Sequence, residues 1–352
     1  MAAPSPYGIH RVLEPAGVLP QPAWRLDNTM VPRDNEILID VTALNVDAAS
    51  FTQIKQEAGG SAQRVGEIVG RIVEQRGKLH NPVTGSGGML IGTVRSIGKA
   101  LAGRIDLQPG DAIATLVSLS LTPLRIARIR AIHLERDQIE IDGQALLFET
   151  GLYAKLPADI PQATALAILD VAGAPAQTAR LVQPGHTVVV IGGGGKSGTL
   201  CCYQAHKNAK AGGASGGGMG QVIGLSPFAA DCERMRALGW VDHALQVDAT
   251  DAVAVMNAVA DVTGGRLADV TINCVNIPHT EMGSILATRQ GGRIYFFSMA
   301  TSFTAAALGA EGVGKDVEMI VGNGYARGHA ELALSLLRES ATLRDLFETR
   351  YA

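Results

Sequence analysis

The 352-residue chain is poor in the residues that announce a disulfide framework or a structural metal. Its four cysteines, Cys201, Cys202, Cys232 and Cys274, all lie in the second half and form no C-x-x-C pair, so neither is indicated. Aromatic residues make up only 4%, against 42 glycines, which points to a chain that turns often and tightly. Neither charge sign dominates: a net charge of −3 gives no electrostatic reason to expect nucleic acid or an anionic membrane as partner. No apolar run approaches the length of a bilayer span, and the opening Met-Ala-Ala-Pro-Ser-Pro lacks a charged-then-apolar leader. The expectation is a protein of the reducing cytoplasm. Its length and 47% hydrophobic content suffice for two cores.

What is present is organised around Thr187–Gly198. Thr187-Val-Val-Val-Ile191 is a mostly β-branched run that reads as a strand buried on both faces. Gly192–Gly195 follow, and a helix reads through Thr199–His206. Gly193, Gly195 and Gly198 stand at the G-x-G-x-x-G positions of a dinucleotide-binding turn, with Gly194, Lys196 and Ser197 between them. Phosphates would then sit on the positive end of the helix. Gly195-Lys-Ser197 also suggests a P-loop, but that motif needs glycine where Val190 stands. The P-loop reading fails.

Upstream, short strands with glycine turns are read at Glu36–Leu44, Val65–Val73, Met89–Ile97, Ala112–Val117, Ile139–Gly143 and Ala145–Phe148. Ser118, Ser120 and Thr122 alternate as if along one strand, lining either a pocket or an ordinary solvent face. Ala163–Arg180 reads as one alanine-rich helix. Beyond it strands and helices alternate, with strands at Gln221–Leu225, Ala268–Cys274 and Gly292–Phe297 and helices at Phe228–Leu238 and Ala330–Leu337. The fold class is therefore α/β, a doubly wound parallel sheet preceded by a β-rich domain. The glycine-rich 212–220 stretch reads as a surface loop, with an approach to the adenosine as the alternative.

Several phrases resemble the medium-chain dehydrogenase/reductase superfamily: Glu36-Ile-Leu-Ile-Asp-Val with Leu44-Asn-Val-Asp47, Gly92-Thr-Val-Arg-Ser-Ile-Gly98 with Gln108-Pro-Gly-Asp111, Gln183-Pro-Gly185, Ala237-Leu-Gly239 and Gly291-Gly-Arg-Ile294. The resemblance implies a GroES-like catalytic domain over 1–157 and a Rossmann domain over 158–324. It leaves a last segment, 325–352, free to pack back on the first, and implies a homodimer. Zinc-using members place cysteine where Val46-Asp47-Ala48 stands and Gly-His-Glu where Gly87-Gly88-Met89 stands, so no metal is expected. Asn81–Gly92, Thr115–Leu124 and Gly193–Gly198 further resemble the 3,5-diaminohexanoate dehydrogenase family of lysine fermentation. That implies oxidative deamination of a small-molecule diamino acid with NAD or NADP.

Ser226 stands where NAD-binding Rossmann strands usually end in an acidic residue, which permits NADP, with Arg234 nearby as a phosphate ligand or a solvated helix charge. The resemblance favours NAD, and the choice stays open. For the nicotinamide end it implies backbone contacts at Cys274, Val275, Ser298, Met299 and Asn323. Oxidising an amine requires a base, and carboxylates suit both that task and a second ammonium. The catalytic candidates are Asp47, in the loop where the superfamily puts a catalytic ligand, and Asp170, a lone charge in the apolar stretch Ala163–Ala176. Two rival readings remain: a zinc-free quinone or enoyl reductase, and a non-catalytic dinucleotide sensor.

Overall fold

The computed structural model describes residues 4–211, 220–322 and 324–352; residues 212–219, on which the surface-loop expectation falls, and Asn323 lie outside the described residues. The chain divides into two compact units, Met1–Gln162 and Ala163–Ala352.

The first unit opens with a small pairing of β1 (Val12–Glu14) and β2 (Arg25–Leu26). Its main sheet is antiparallel, built from β3 (Glu36–Asn45), β4 (Met89–Ile97), β5 (Ala112–Thr115), β6 (Leu124–His133), β7 (Gln138–Phe148) and β8 (Tyr153–Lys155), in the order β6-β7-β3-β4-β5-β8. The two runs read on either side of Gly143 form the single strand β7. β3 is central, and Ile37, Ile39, Val41 and Leu44 feed a core shared with Leu90, Ile113, Ile139 and Ile141. Gly92 lets two strands close up, since a Cβ there would lie 2.4 Å from the Asp40 carbonyl oxygen.

Two expectations fail here. Val65–Val73 is no strand: it lies within helix α2 (Ala62–Arg76), which follows α1 (Ala48–Glu57). Val65, Val69, Ile72 and Val73 are buried at helical spacing, Ser61 caps the start through Arg64 N, and left-handed Gly77 (φ 67°) ends it. Gly66 sits against Ile132 of β6, so the glycine interruption is a packing contact. Nor do Ser118, Ser120 and Thr122 share a strand face. Leu119–Leu121 is a 3-10 turn in which Ser118 Oγ accepts from Ser120 N and Ser120 Oγ, and Thr122 Oγ1 donates to the Ser118 carbonyl. Ser120 and Thr122 are buried, which excludes the solvent-face reading.

The second unit is a six-stranded parallel sheet of β9 (Thr187–Ile191), β10 (Gln221–Ser226), β11 (His243–Gln246), β12 (Ala268–Asn273), β13 (Thr288–Phe296) and β14 (Glu318–Val321). The order is β11-β10-β9-β12-β13-β14. The expected single helix is two, α3 (Gln162–Leu169) and α4 (Gly173–Leu181). Pro175 lacks an N–H, and its ring would clash with the carbonyl four residues back, so it is tolerated only in the first turn of a new helix. Asp170 falls in that break. The remaining helices are α5 (Lys196–Lys210), α6 (Ala229–Leu238), α7 (Ala252–Thr263), α8 (Glu281–Ala287), α9 (Phe303–Gly312), α10 (His329–Glu339) and α11 (Ala341–Arg350). α10 packs on α4, and Arg180 donates to the Arg327 carbonyl. The last segment thus clusters with the second unit, where the sequence had left a return to the first open. No helix among the described residues is long and apolar enough to cross a membrane.

Candidate active site

The sheet of the second unit delivers β9 into its glycine turn. Gly192 takes a left-handed conformation (φ 83°) open to glycine, and the N–H groups of Gly192 and Gly193 both donate to the Leu225 carbonyl, at 2.9 and 3.0 Å. This pins the turn to the end of β10. Three of the following glycines have a steric reason. A Cβ on Gly193 would meet Met235 Sδ at 2.7 Å, one on Gly194 would meet the Asp231 side chain at 2.5 Å, and one on Gly198 would lie 2.0 Å from the Gly192 carbonyl oxygen.

Helix α5 begins at Lys196, three residues earlier than the sequence suggested. Its N-cap, Gly195, offers no side chain to the first turn. The N–H groups of Lys196, Ser197 and Gly198 are thereby left for an external acceptor, at the positive end of a 15-residue helix. A turn that has no room for a Cβ at Gly193, Gly194 or Gly198, with uncapped donors behind it, fits a dinucleotide diphosphate. Lys196 adds a cation, and its Nζ lies 2.5 Å from Asp170 Oδ2. Asp170, from the break between α3 and α4, and the fingerprint are thus brought together.

At the end of β10, Ser226 is 3% exposed and is not the bare site the sequence implied. Its Oγ donates to Asp231 Oδ2 at 2.8 Å and accepts from Phe228 N at 3.3 Å. Arg234 donates to the Gly194 carbonyl at 2.7 Å and pairs with Asp231. It is a strut between α6 and the turn, which corrects the solvated-charge reading. Sequence reasoning missed Asp231; the only signal was an acidic residue in the first turn of α6.

Beside the turn, Cys274 N donates to the Ile191 carbonyl, and Val275 packs over Gly192. The Cys274 and Cys201 sulfurs are 3.7 Å apart. That contact, together with burial, pushes the Cys274 thiol well up, which disfavours the thiolate. Past β13, Ser298 Oγ accepts from Ala300 N, and Met299 is 85% exposed. Gly322 N donates to the Phe296 carbonyl, bringing the chain just before Asn323 to the end of that strand. A separate cavity of about 980 Å³ opens at the opposite, N-terminal end of the strands, lined by His186, Lys210, Asp242 and Arg289. Lys210 there is paired with Asp242 and Arg289 with Asp269.

In the first unit, Asp47 caps α1, with Oδ1 accepting from Ser50 N at 2.9 Å. Its Oδ2 is buried and has no partner among the described residues. The Gly88 carbonyl accepts from Leu119 N, and Cβ atoms on Gly87 or Gly88 would collide with the Leu79 or Asn45 carbonyls. Asp47, Gly87-Gly88 and the Ser118–Ser120 turn therefore meet, although they are spread over more than seventy positions of the chain. Among the described residues no group of three or more His, Cys, Asp or Glu could hold a metal ion.

A family model described as the L-erythro-3,5-diaminohexanoate dehydrogenase N-terminal domain matches residues 10–157. The chain is 55% identical over 345 residues to an L-erythro-3,5-diaminohexanoate dehydrogenase of Acetoanaerobium sticklandii, covering 98% of each. It is 54% identical over 345 residues to one of Fusobacterium nucleatum subsp. nucleatum, again covering 98% of each. Among solved structures, the CurK enoyl reductase superposes with a TM-score of 0.55 at 14% identity, over 93% of this chain and 90% of its own. A mycobacterial protein complexed with NADPH gives 0.54 at 16% identity, over 92% and 83%. At such identities the structural likeness speaks for the fold alone.

Proposed function

We propose, for a chain that belongs to the L-erythro-3,5-diaminohexanoate dehydrogenase family, that it oxidatively deaminates L-erythro-3,5-diaminohexanoate to 5-amino-3-oxohexanoate with a nicotinamide dinucleotide. The observation that carries this is identity to two dehydrogenases of that name over nearly the whole chain, joined to a glycine cradle built for a diphosphate. The nicotinamide, when bound, accepts a hydride from the amine-bearing carbon. An ammonium nitrogen has no lone pair with which to form the iminium, so a base or a water chain must first take one of its protons, a task that suits a carboxylate. The iminium then adds water and releases ammonia.

Asp47 is the proposed base. Its unpartnered buried Oδ2 supports this, since such an atom in a native fold calls for a partner that the substrate can supply. Asp170, tied to Lys196 beside the turn, is proposed to position the substrate's second ammonium or the cofactor end of the site. Gly193, Gly194, Gly195, Lys196, Ser197 and Gly198 hold the diphosphate, with Ser226 and Arg234 at the adenosine side. Cys274, Val275, Ser298, Met299 and Asn323 are proposed to lie at the nicotinamide side.

Purified protein with diaminohexanoate and NAD or NADP, followed at the reduced-cofactor absorbance, tests the reading. The expected result is reduced cofactor and free ammonia in equal amounts. Turnover of an enoyl substrate in its place would favour the reductase alternative, and dinucleotide binding without any turnover the sensor. We further propose a homodimer through β14, the edge strand of the parallel sheet, near which Phe303, Leu308 and Val321 are exposed. Work in the reducing cytoplasm is proposed from the free state of all four cysteines.

A further inference from the structure

We propose that Asp231, rather than the residue ending β10, provides the acceptor for the adenosine ribose diol and thereby selects NAD over NADP; this rests on the dinucleotide reading above. A Rossmann strand in this position ordinarily ends in a carboxylate that accepts from the ribose hydroxyls. Here it ends in Ser226, whose Oγ is engaged with Asp231 and Phe228 N and whose side chain is buried. The carboxylate has moved five residues on, into the first turn of α6, and folds back onto the same place.

Four observations fix it there. Its Oδ2 accepts from Ser226 Oγ at 2.8 Å, so it stands at the strand end. A Cβ on Gly194 would meet Asp231 Cβ at 2.5 Å, so it also stands against the diphosphate turn. Arg234 clamps it to the Gly194 carbonyl. Its side chain keeps 19% exposure, so a ligand hydroxyl can reach it. A carboxylate accepts at about four lone-pair sites, so the bonds from Ser226 and Arg234 leave room for the diol.

A 2′-phosphate in the same place would set anion against anion. The surrounding cations do not offset this while Asp231 is present. Arg234 is spent on Asp231 and the Gly194 carbonyl, and Arg350 of α11 faces Asp231 at 3.9 Å. Removing the carboxylate unpairs both guanidiniums from Asp231, and Arg234 Nε is already buried without an acceptor among the described residues. The variant should then welcome the phosphate that the native site repels.

The test is calorimetric titration with ADP-ribose and with its 2′-phosphorylated analogue, without substrate, on wild type, D231N, D231S and S226A. Wild type should bind ADP-ribose more tightly. D231S should lose roughly ten-fold or more in ADP-ribose affinity, as expected for hydrogen bonds to a charged acceptor, and gain affinity for the phosphorylated analogue. D231N, closest in shape, should shift the ratio in the same direction even if D231S folds poorly. S226A, which keeps the carboxylate, should shift the ratio least. Tighter wild-type binding of the phosphorylated ligand, or an unchanged ratio in D231N, overturns the assignment to Asp231 and leaves the dinucleotide site standing. Failure of the wild type to bind either ligand overturns both.

Discussion

Lys78 has no exposed surface, yet its ammonium is met only by main-chain carbonyls, those of Pro20 at 2.7 Å and Gln21 at 2.8 Å. Burial, with Arg76 adding to it, pushes its pKa down to about 7 from the ordinary lysine value of 10.5. The unfolded chain therefore holds a proton across that window that the folded chain has released. Stability should rise with pH between about 7 and 10, the penalty for the buried cation being fully present below 7. Thermal unfolding of wild type and K78M at pH 7 and pH 9 checks this. The wild-type midpoint should climb more than that of K78M, and parallel behaviour would contradict it. Asp47 makes the second prediction at this scale. D47N keeps the shape, and the amide can still cap α1, so folding and dinucleotide affinity should hold while turnover falls by about 10²–10⁴. A rate within a few-fold of wild type would remove Asp47 from the mechanism. Asp170 differs, because its loss unpairs Lys196 at the turn. D170N should lower turnover and also alter dinucleotide affinity. The sequence showed Asp170 as a lone charge among apolar residues, but Lys196 as its partner lies 26 positions away and had no local signal.

The β9–turn–α5 element was legible almost entirely from local sequence, because each of its requirements is a short-range steric one. Gly198 carries the sharpest of them. G198A would place a Cβ 2.0 Å from the Gly192 carbonyl oxygen, so the turn must open. Dinucleotide binding should be lost in calorimetric titration while circular dichroism keeps its helix and sheet content. Elements of the first unit were harder to read. In α2, Val-Gly-Glu-Ile-Val-Gly-Arg-Ile-Val is rich in β-branched residues and glycine, both strand-like cues, but its burial repeats every three or four residues against β6. Packing settled what propensity could not. Strand β3 is anchored at its first residue by buried Glu36, which takes two bonds from Arg11, at 2.8 and 2.6 Å, and one from His10 at 2.7 Å. Replacing one partner of such a buried pair strands the other. R11M should therefore cost about 3–5 kcal/mol in chemical denaturation, and R11M/E36L clearly less than the single change.

At the scale of the molecule, β14 leaves one edge of the parallel sheet unpaired, with Val321 63% exposed on it and Phe303 76% exposed on α9. If that edge carries the proposed dimer, sedimentation should give twice the 36.7 kDa chain mass for wild type and a single chain mass for V321D/F303D. A dimer in the double variant would move the interface elsewhere. The sequence by itself determined that there are strands and helices in alternation after Pro157, that a glycine turn follows β9, and that Asp47 and Asp170 are carboxylates worth watching. These follow from rules spanning a few residues: glycine where no Cβ fits, β-branched runs for buried strands, and a charge where its neighbours are apolar. What only the tertiary structure decided is which distant groups face one another. Asp231 meets Ser226 and Gly194 because α6 folds back on β10 and the turn. Asp170 meets Lys196 because Pro175 breaks a helix beside it. Ser120 is buried in a turn whose Leu119 N donates to the Gly88 carbonyl. Those partnerships are set by the crossing of elements far apart in the chain, where no local pattern records them.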